Sequence, residues 1–448
     1  MKQKIKQELD GKNILILGFG REGKSSYSFI KANVQYAKLA IADKNAIVNS
    51  DELGKEGVIL HIGEDYLDYM KDYDVILKTP GISLKDIDIE KIKDKITSQT
   101  SLFIKHGSEK IIGVTGTKGK STTSSLIYHM LKTAGKKVEL VGNIGIPAFD
   151  MLDNEQNTEY FVYELSGHQL QFIEKSPHIS VLLNLFEEHL DHFGTYEKYK
   201  EAKLNIFKYQ GNEDIAIYGE TVENELKEDI ISNRILVSLD KQKLKNSTII
   251  KEEEICSIYK ENEITIMFPE ESELCGKHNI YNAMIAITVA NILKIDKENI
   301  INSLKTFKTL PHRLQKIGIY NNITYIDDSI STIPEATIQA IETIPNVDTV
   351  LIGGMDRGID YTKLIEYIKE NKNKKYILMY ETGKRIYANL KDLNCVVYIE
   401  NLKEAVKYAK INTKSGMACL LSPAAASYGY FKNFEERGDM FKKYVEEK

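Results

Sequence analysis

The sequence predicts an α/β protein with three domains in series. The chain has 448 residues, which suits about three domains of ordinary size. Short apolar runs that end in glycine or polar loops alternate with helical stretches, and a strand–helix–strand order gives parallel strands. We expect a Rossmann-like N-terminal domain at residues 1–104, a central P-loop ATPase-like α/β domain at 105–309, and a C-terminal Rossmann-like α/β domain at 310–448.

The first domain is predicted from three apolar strands with helical stretches between them. NILILG (Asn13–Gly18) and KLAIAD (Lys38–Asp43) have the composition of buried parallel strands. DVILKTPGI (Asp74–Ile82) is a third predicted strand, and it ends in a loop. A glycine turn and a helix join the first two strands, which is the order of a parallel crossover.

The other two domains repeat this pattern. The central strands are predicted at KIIGVTG, VEL, YFVYELS and ISVLLNL, with a helix after the first strand that ends near Gly135. Residues 214–269 hold short β-like pieces and charge clusters, which predicts an antiparallel side region, and residues 279–293 form a predicted helix. In the third domain ITYIDDS, TVLIGG, KYILMYETG and ACLLSP are predicted strands that run into loops.

Composition excludes several classes of protein. The net charge is −5, so no basic excess exists to neutralise nucleic-acid phosphates, and 42% hydrophobic content argues against disorder. The N-terminus has no apolar leader core, and no run approaches the roughly 18 apolar residues of a membrane span. Four cysteines are scattered without a C-x-x-C pair, as expected in a reducing compartment. We therefore expect a cytoplasmic protein with no membrane or nucleic-acid partner.

The glycine turn GFGREG (Gly18–Gly23) matches the G-x-G-x-x-G pattern between a strand and a helix, and Asp43 follows at the end of the next strand. Glycines at these positions allow a pyrophosphate to approach backbone amides at a helix N-terminus. The pattern alone leaves three interpretations open, namely a dinucleotide, another diphosphate ligand, or a turn that only packs helix against sheet.

GVTGTKGKSTT (Gly113–Thr123) has the strand, glycine-rich loop and helix start of a P-loop. It departs from the strict pattern because Val114 stands at the first glycine position and Gly116 takes over that role. Backbone amides of such a loop surround phosphates, the lysine reaches the β- and γ-oxygens, and the hydroxyl ligates Mg²⁺. The residues expected to bind ATP are Gly116, Thr117, Lys118, Gly119, Lys120, Ser121 and Thr122.

Other polar residues follow predicted strands, where α/β proteins bind ligands. Glu164 ends a central strand and is a candidate second Mg²⁺ ligand, with a solvated strand-end carboxylate as the less favoured alternative. His189 lies in a polar cluster with Asp191 and His192, in which a helix-capping histidine is as consistent as a metal ligand. By spacing alone, Lys203 is a surface lysine.

In the third domain, PHR (Pro311–Arg313) is suited to a hinge that contacts nucleotide, and Arg357 is suited to an anionic substrate group. DDS (Asp327–Ser329) and the loop Ser422–Gly438 follow the ends of two predicted strands.

Taken together, these motifs resemble the Mur ligases, ATP-dependent amide-forming enzymes of peptidoglycan precursor synthesis. The resemblance rests on TGTKGKSTT, GNIGIP, ELSGHQL, NLFEEHLDHFGTYEKYKEAK, GKHNIYN, PHRLQ and LSPAAAS…FKNFEERG. They occur in the family's order from about Gly18 to Gly438, which is nearly the whole chain. The resemblance implies a ligase that adds D-glutamate to UDP-N-acetylmuramoyl-L-alanine through an acyl phosphate, in a pathway needed for cell shape and division.

The resemblance also assigns site residues. It implies that the first domain binds UDP rather than NAD; the residues for the UDP-sugar substrate are Gly18, Gly20, Arg21, Asp43, Gly81, Asn143, Gln169 and His189. Lys120, His189 and Lys203 would be catalytic. Mg²⁺ ligands would be Ser121, Glu164, His189 and a carbamylated Lys203. Further ATP contacts would be Asn279, Asn282, His312, Arg313 and Asp328, and the amino-acid pocket would hold Thr332, Arg357, Ser427 and Phe434.

Departures from the family pattern leave alternatives. DDSISTIPEAT replaces the common N-D-S-K-A-T-N, so Ile330 stands where a lysine is usual. Gly167 and His168 replace a Ser-Phe pair, and Glu188 precedes His189 where aspartate or threonine is frequent. The same chemistry with L-glutamate or another amino acid is therefore the nearest alternative. An NAD-dependent oxidoreductase and a non-catalytic nucleotide switch are more remote ones. We expect a monomer that uses ATP and Mg²⁺.

Overall fold

The computed structural model describes residues 1–47, 50–226, 230–239, 245–274 and 276–447, without the side chain of Asp191. The chain forms two compact units, one of Met1–Ser272 with His278–Phe307 and the other of Glu273–Lys277 with Lys308–Lys448. The first unit holds a five-stranded and a nine-stranded sheet, and the second holds a six-stranded sheet. Three sheets agree with the predicted α/β class, while the domain boundaries stay predictions.

The N-terminal sheet is entirely parallel, with the order β3-β2-β1-β4-β5. Its strands are β1 (Asn13–Leu17), β2 (Lys38–Asp43), β3 (Ile59–Ile62), β4 (Val75–Lys78) and β5 (Ile96–Thr97). Its helices are α1 (Lys2–Leu9), α2 (Arg21–Asn33), α3 (Ser50–Lys55) and α4 (Gln99–Gly107). The three predicted strands are confirmed, whereas β3 and β5 were not predicted because they are short and β3 is not fully buried.

The central sheet has the order β14-β13-β12-β11-β10-β9-β6-β8-β7. Its strands are β6 (Ile111–Thr115), β7 (Val138–Gly142), β8 (Tyr160–Glu164), β9 (Ile179–Leu182), β10 (Ile215–Gly219), β11 (Asn233–Ser238), β12 (Ser247–Lys251), β13 (Glu254–Tyr259) and β14 (Asn262–Met267). The prediction of an antiparallel region over residues 214–269 is wrong for its first half, because β10, β11 and β12 pair in parallel and only β12–β14 are antiparallel. A fully buried β10 continues the parallel sheet on the far side of β9.

The helices of this part of the chain are α5 (Lys120–Thr133), α6 (Gly167–Leu170), α7 (Leu190–Phe193), α8 (Tyr196–Lys208), α9 (Glu220–Glu223), α10 (Lys277–Ile292) and α11 (Lys297–Thr306). Helix α10 is buried over most of its length, which agrees with the apolar run that predicted it. The carboxyl ends of the neighbouring strands β9, β6 and β8 lie side by side. The P-loop follows the middle one of these three strands.

The six-stranded sheet has the order β15-β16-β20-β17-β18-β19 and is parallel except for the edge strand β15. Its strands are β15 (Gln315–Tyr320), β16 (Ile323–Asp327), β17 (Val347–Gly353), β18 (Lys375–Met379), β19 (Val396–Tyr398) and β20 (Ala418–Leu421). Its helices are α12 (Pro334–Thr343), α13 (Thr362–Glu370), α14 (Tyr380–Tyr387), α15 (Leu402–Asn412) and α16 (Phe434–Glu446). The loops after β16, β20 and β17 therefore leave one edge of the sheet together.

No helix in the described part of the chain is long and apolar enough to cross a membrane. Cys395 and Cys419 are free thiols, Cys256 is buried, and Cys275 lies outside the described residues.

Candidate active site

The P-loop leaves β6 and passes close against the end of β9. Gly116 has φ 155°, and a Cβ built on it would lie 2.8 Å from Leu183 Cβ, so only glycine fits there without a shift of the backbone. Helix α5 begins directly at Lys120, whose Nζ donates to the carbonyls of Gly116 and Thr117, at 2.9 Å each. The loop thus places a cation and a helix N-terminus together, which is the arrangement that binds phosphate.

The loop is held by the segment that follows β9. Asn184 accepts from the Lys118 amide at 2.8 Å and donates to the Lys118 carbonyl at 3.1 Å. The Thr117 hydroxyl accepts from the Phe186 amide at 3.0 Å, and the Lys118 ammonium donates to Glu188 at 2.8 Å. This pairing fixes the loop before any phosphate binds.

Glu164 lies at the end of β8 and is completely buried. One carboxylate oxygen, Oε1, accepts from Asn143 Nδ2 at 3.2 Å, while Oε2 has no hydrogen-bond partner among the described residues. A buried carboxylate oxygen without a donor is strongly unfavourable unless a cation binds it. Glu164 therefore fits the ligand of a hard divalent cation, and the solvated-carboxylate interpretation is wrong.

Lys203 is 1% exposed, so its interpretation as a surface lysine is wrong. Its Nζ donates to the Gly116 carbonyl at 2.9 Å and lies 4.9 Å from the centre of the Tyr199 ring. Burial lowers the pKa of Lys203 well below its usual range, and the charge of Lys120 lowers it further. The sequence could not show this burial, because α8 presents five residues to the core and spacing alone does not say which face is inside.

His189 has φ 58° and a half-exposed side chain beside the start of α7. The rings of His168 and His189 are 5.0 Å apart, and those of His168 and His192 are 4.1 Å apart. Burial, and then the charges of His192 and His189, lower the pKa of His168 to about 3, so it is neutral at physiological pH. Among the side chains that the structure describes, no three His, Cys, Asp or Glu groups converge on one metal position.

The glycine turn after β1 is connected to the P-loop sheet. Asp43 accepts from the Phe19 amide at 2.8 Å, and a Cβ on Gly18 would overlap the Thr79 side chain, so part of the motif is needed simply to build the turn. Arg21 donates to the carbonyls of Gly142 at 2.8 Å and Asn143 at 3.2 Å.

Other predicted UDP-sugar residues lie around the same turn. Gly20 is the N-cap of α2, and a Cβ on Gly81 would meet nothing within 4 Å. Gln169 caps α6 through Ser166 and donates to Glu22 at 2.6 Å. The structure thus brings Arg21, Asn143 and Glu164 together. Gln169 is hydrogen-bonded to Ser166 and Glu22.

Two asparagines of α10 complete the surroundings of the P-loop. Asn282 Oδ1 accepts from the Thr123 hydroxyl at 3.2 Å, and Asn282 Nδ2 donates to Asn279 Oδ1 at 3.3 Å. A Cβ on Gly119 would come 2.7 Å from Asn282 Oδ1, so the helix and loop are in close contact. The other expected ATP contacts, His312, Arg313 and Asp328, belong to the second unit.

In the second unit, the predicted residues lie on the loops that leave one sheet edge. Asp328 accepts from the Ser422 hydroxyl at 2.8 Å, and burial raises the pKa of its carboxyl to about 7. Arg357 donates to the Thr332 carbonyl at 3.3 Å, which brings two of the expected amino-acid residues together. Ser427 is buried at the turn after β20, and Phe434 begins α16.

Arg437 was missed by the sequence reasoning. It is fully buried and donates to the carbonyls of Ser329 at 2.7 Å and Ala425 at 2.9 Å, so it holds the loops after β16 and β20 together. The sequence signal is the helical spacing of Arg437 with Phe441 and Val445, which places the arginine on the apolar face of α16. A buried arginine needs acceptors inside the protein. The backbone carbonyls that serve as acceptors could be identified only from the structure.

Comparisons with known proteins agree with this combination of α/β sheets and a P-loop. A family model described as the Mur ligase middle domain matches residues 114–290, and one described as the Mur ligase glutamate ligase domain matches residues 312–425. A UDP-N-acetylmuramoylalanine–D-glutamate ligase of Clostridioides difficile (strain 630) is 33% identical over 97% of this chain and 98% of its own length. The enzyme of the same name from Christiangramia forsetii is also 33% identical, over 97% of this chain and 99% of its own length.

Solved structures show the same fold. A MurF ligase from Thermotoga maritima in complex with ADP aligns with a TM-score of 0.59 at 19% identity, over 98% of this chain and 96% of that one. A MurF from Acinetobacter baumannii aligns with a TM-score of 0.61 at 14% identity, over 99% of this chain and 92% of that one. The fold and site define an ATP-dependent ligase that forms amide bonds. The chain belongs to the Mur ligase family, whose members build peptidoglycan precursors. This membership argues against the two remote alternatives, an NAD-dependent oxidoreductase and a non-catalytic nucleotide switch.

Proposed function

We propose that this ligase joins D-glutamate to the alanine carboxyl of UDP-N-acetylmuramoyl-L-alanine, with cleavage of ATP to ADP and phosphate. The observation that carries the proposal is the full-length similarity to relatives named for this reaction, at 33% identity over 97% of the chain. The buried Glu164 and Lys203 beside the P-loop support it, because they suit a site for a metal-bound triphosphate.

The chemistry follows from the inertness of a carboxylate towards amines. The alanine carboxylate attacks the γ-phosphorus of ATP, the bond to the bridging oxygen breaks, and ADP leaves. The glutamate amine then attacks the acyl carbon, loses a proton, and expels inorganic phosphate to leave the amide. The residues mostly position the reactants and neutralise charge, and we propose that Lys120, at the N-terminus of α5, contacts the transferred phosphoryl group.

Magnesium is part of the proposal. Ser121 and Glu164 are the expected ligands of one ion, and His189 with a carbamylated Lys203 of a second. Glu164 Oε2, which has no hydrogen-bond partner in the described part of the chain, supports a cation there. Such ions neutralise the developing negative charge on the phosphoryl oxygens. Carbamylation would convert Lys203 from a cation into an oxygen ligand, which Mg²⁺ prefers. Its Nζ already lies within 2.9 Å of a P-loop carbonyl.

The remaining substrate residues keep the roles that the family resemblance implies. The glycine turn with Arg21 and Asp43 is proposed for UDP, and Thr332, Arg357, Ser427 and Phe434 are proposed for glutamate. We further propose that the enzyme acts as a cytoplasmic monomer on these small molecules. Ile330 is the observation that keeps L-glutamate as a second candidate, because an apolar side chain stands where a lysine is usual in the family.

Phosphate release tests the proposal. We would measure it with ATP, Mg²⁺ and UDP-N-acetylmuramoyl-L-alanine, and with D-glutamate, L-glutamate or no amino acid. Release that depends on D-glutamate is the expected result, and release with L-glutamate alone would assign the other stereoisomer. Lys120→Ala, with an unchanged circular dichroism spectrum, is the inactive control. Absence of release with either isomer would contradict the proposal.

A further inference from the structure

His312 and Asp327 form a buried pair at the sheet edge of the second unit. Imidazole Nδ1 and carboxylate Oδ2 are 2.7 Å apart, and the two side chains are only 10% and 2% exposed. The second carboxylate oxygen, Oδ1, accepts from the Ser329 amide at 2.9 Å. Both oxygens of Asp327 are therefore engaged, and the carboxylate has no freedom to turn away from the ring.

The surroundings hold the imidazole in one orientation. The His312 amide donates to Gln315 at 3.1 Å, and its carbonyl accepts from the Ile330 amide at 3.2 Å. Gly438 of α16 lies against the pair, and a methyl group there would overlap both His312 Nδ1 and Asp327 Oδ2. Nδ1 is engaged, so Nε2 is the ring nitrogen that can contact a ligand. The Asp439 carboxylate is 3.9 Å from Nε2 and 75% exposed.

The charges around His312 favour its protonated form. Asp327 on β16 contributes most, and Asp439 and Glu435 on α16 contribute further, so the pKa of His312 is raised although burial opposes this. The opposing cation of α16, Arg437, bonds to Ser329 and Ala425 oxygens rather than to Asp327. Asp328 accepts from Ser422 and the Leu314 amide, so it does not replace Asp327 as the partner.

We propose that Asp327 is a positioning residue that keeps His312 as an imidazolium, with its Nε2–H presented to an anionic oxygen of the bound nucleotide. His312 contacts position 330, where this chain has an isoleucine, through its backbone carbonyl, which accepts from the Ile330 amide. The proposal rests on the expected nucleotide contact of His312 and goes beyond it, because it assigns the charge state and names the residue that sets it. Asp327 acts only through His312 and touches no substrate.

Direct titration of ADP binding against pH tests the proposal in the full-length protein. We expect Asp327→Asn, which keeps the side-chain shape, to weaken ADP binding about tenfold near pH 7.5 and progressively less as the pH falls and protonates His312 in the variant as well. The ratio of the two dissociation constants at each pH cancels the protonation of ADP itself. The NMR titration of His312 should move to lower pH in the variant.

The chain offers a matched control in a second histidine–aspartate pair. His178 Nδ1 and Asp214 Oδ1 are 2.8 Å apart, directly before the first residues of β9 and β10, so Asp214→Asn removes the same kind of charge and should leave ADP binding unchanged. His312→Gln should remove the part of the pH dependence that does not come from ADP, and Asp327→Asn should cause no further loss in that background.

Two results would overturn the proposal. One is an Asp327→Asn pH profile that coincides with the wild-type profile, and the other is an equal loss with and without His312. If Asp327→Asn does not fold, the ratio of the His312→Gln and wild-type dissociation constants decides, because a ratio that does not change with pH would contradict the imidazolium. ADP binding does not depend on which amino acid is added, so failure of the proposed ligase substrates would be seen separately in phosphate release.

Discussion

Lys203 and Lys198 lie on the same helix, yet only Lys203 is buried against the P-loop. If Lys203 is carbamylated, Lys203→Ala should lower kcat at least about 100-fold with the fold intact, because an anionic metal ligand is lost. Acetate or formate, which fit the space left by the side chain, should restore part of the rate. Lys198→Ala is the exposed control and should be neutral. A complete lack of rescue would count against carbamylation.

Asp328 gives the second unit a pH-dependent stability. Its carboxyl has a pKa of about 7 in the folded protein against a reference value of 3.8, so between these pH values the folded state binds more protons than the unfolded state. The free energy of unfolding should therefore fall as pH rises through this window, by up to about 4 kcal/mol. Urea unfolding at several pH values should show a flatter dependence for Asp328→Asn. Parallel slopes for the two proteins would contradict the assignment.

At the scale of elements, α16 is the helix whose packing fixes the strand-end loops. Arg437 donates to carbonyls in the loops after β16 and β20. Gly438 has no side chain and so leaves room for His312 and for Asp327, the last residue of β16. The sequence predicted a ligand-binding loop in this region. The mutual fit of helix and loops could be found only from the structure, because it joins residues about 100 positions apart.

Gly438→Ala tests this packing. Alanine favours a helix by up to about 1 kcal/mol, but here the methyl group would displace His312, so we expect a net loss of about 1–3 kcal/mol and weaker ADP binding. Gly54→Ala in α3 is the matched control, since a Cβ there meets nothing within 4 Å and should be neutral or stabilising. Chemical denaturation and ADP titration give both quantities. Equal behaviour of the two variants would show that the contact is unimportant.

At the scale of the whole molecule, a protein of net charge −5 is proposed to bind three anionic substrates. The attraction must then come from local cations and helix N-termini rather than from the field of the whole protein. Lys120 at the start of α5 and Arg357 near Thr332 are examples, one in each unit.

The division into two units predicts two unfolding transitions. Mg²⁺ and ADP at 100 times Kd should raise the free energy of unfolding, summed over both transitions, by about 2.7 kcal/mol. Differential scanning calorimetry with and without nucleotide measures this shift. Lys120→Ala should lose the response. No shift of either transition in the wild-type protein would contradict nucleotide binding.

The sequence by itself determined the α/β class, most strands, the P-loop and the family, because these depend on short apolar runs, glycine turns and local motifs. Tertiary structure decided which polar residues are buried and what they contact. It buried Lys203, left Glu164 Oε2 without a donor among the residues that the structure describes, and paired His312 with Asp327. It also made β10–β12 parallel, where composition had suggested an antiparallel region. The physical reason is that burial and charge pairing arise from residues far apart in the chain, whereas the motifs are contiguous.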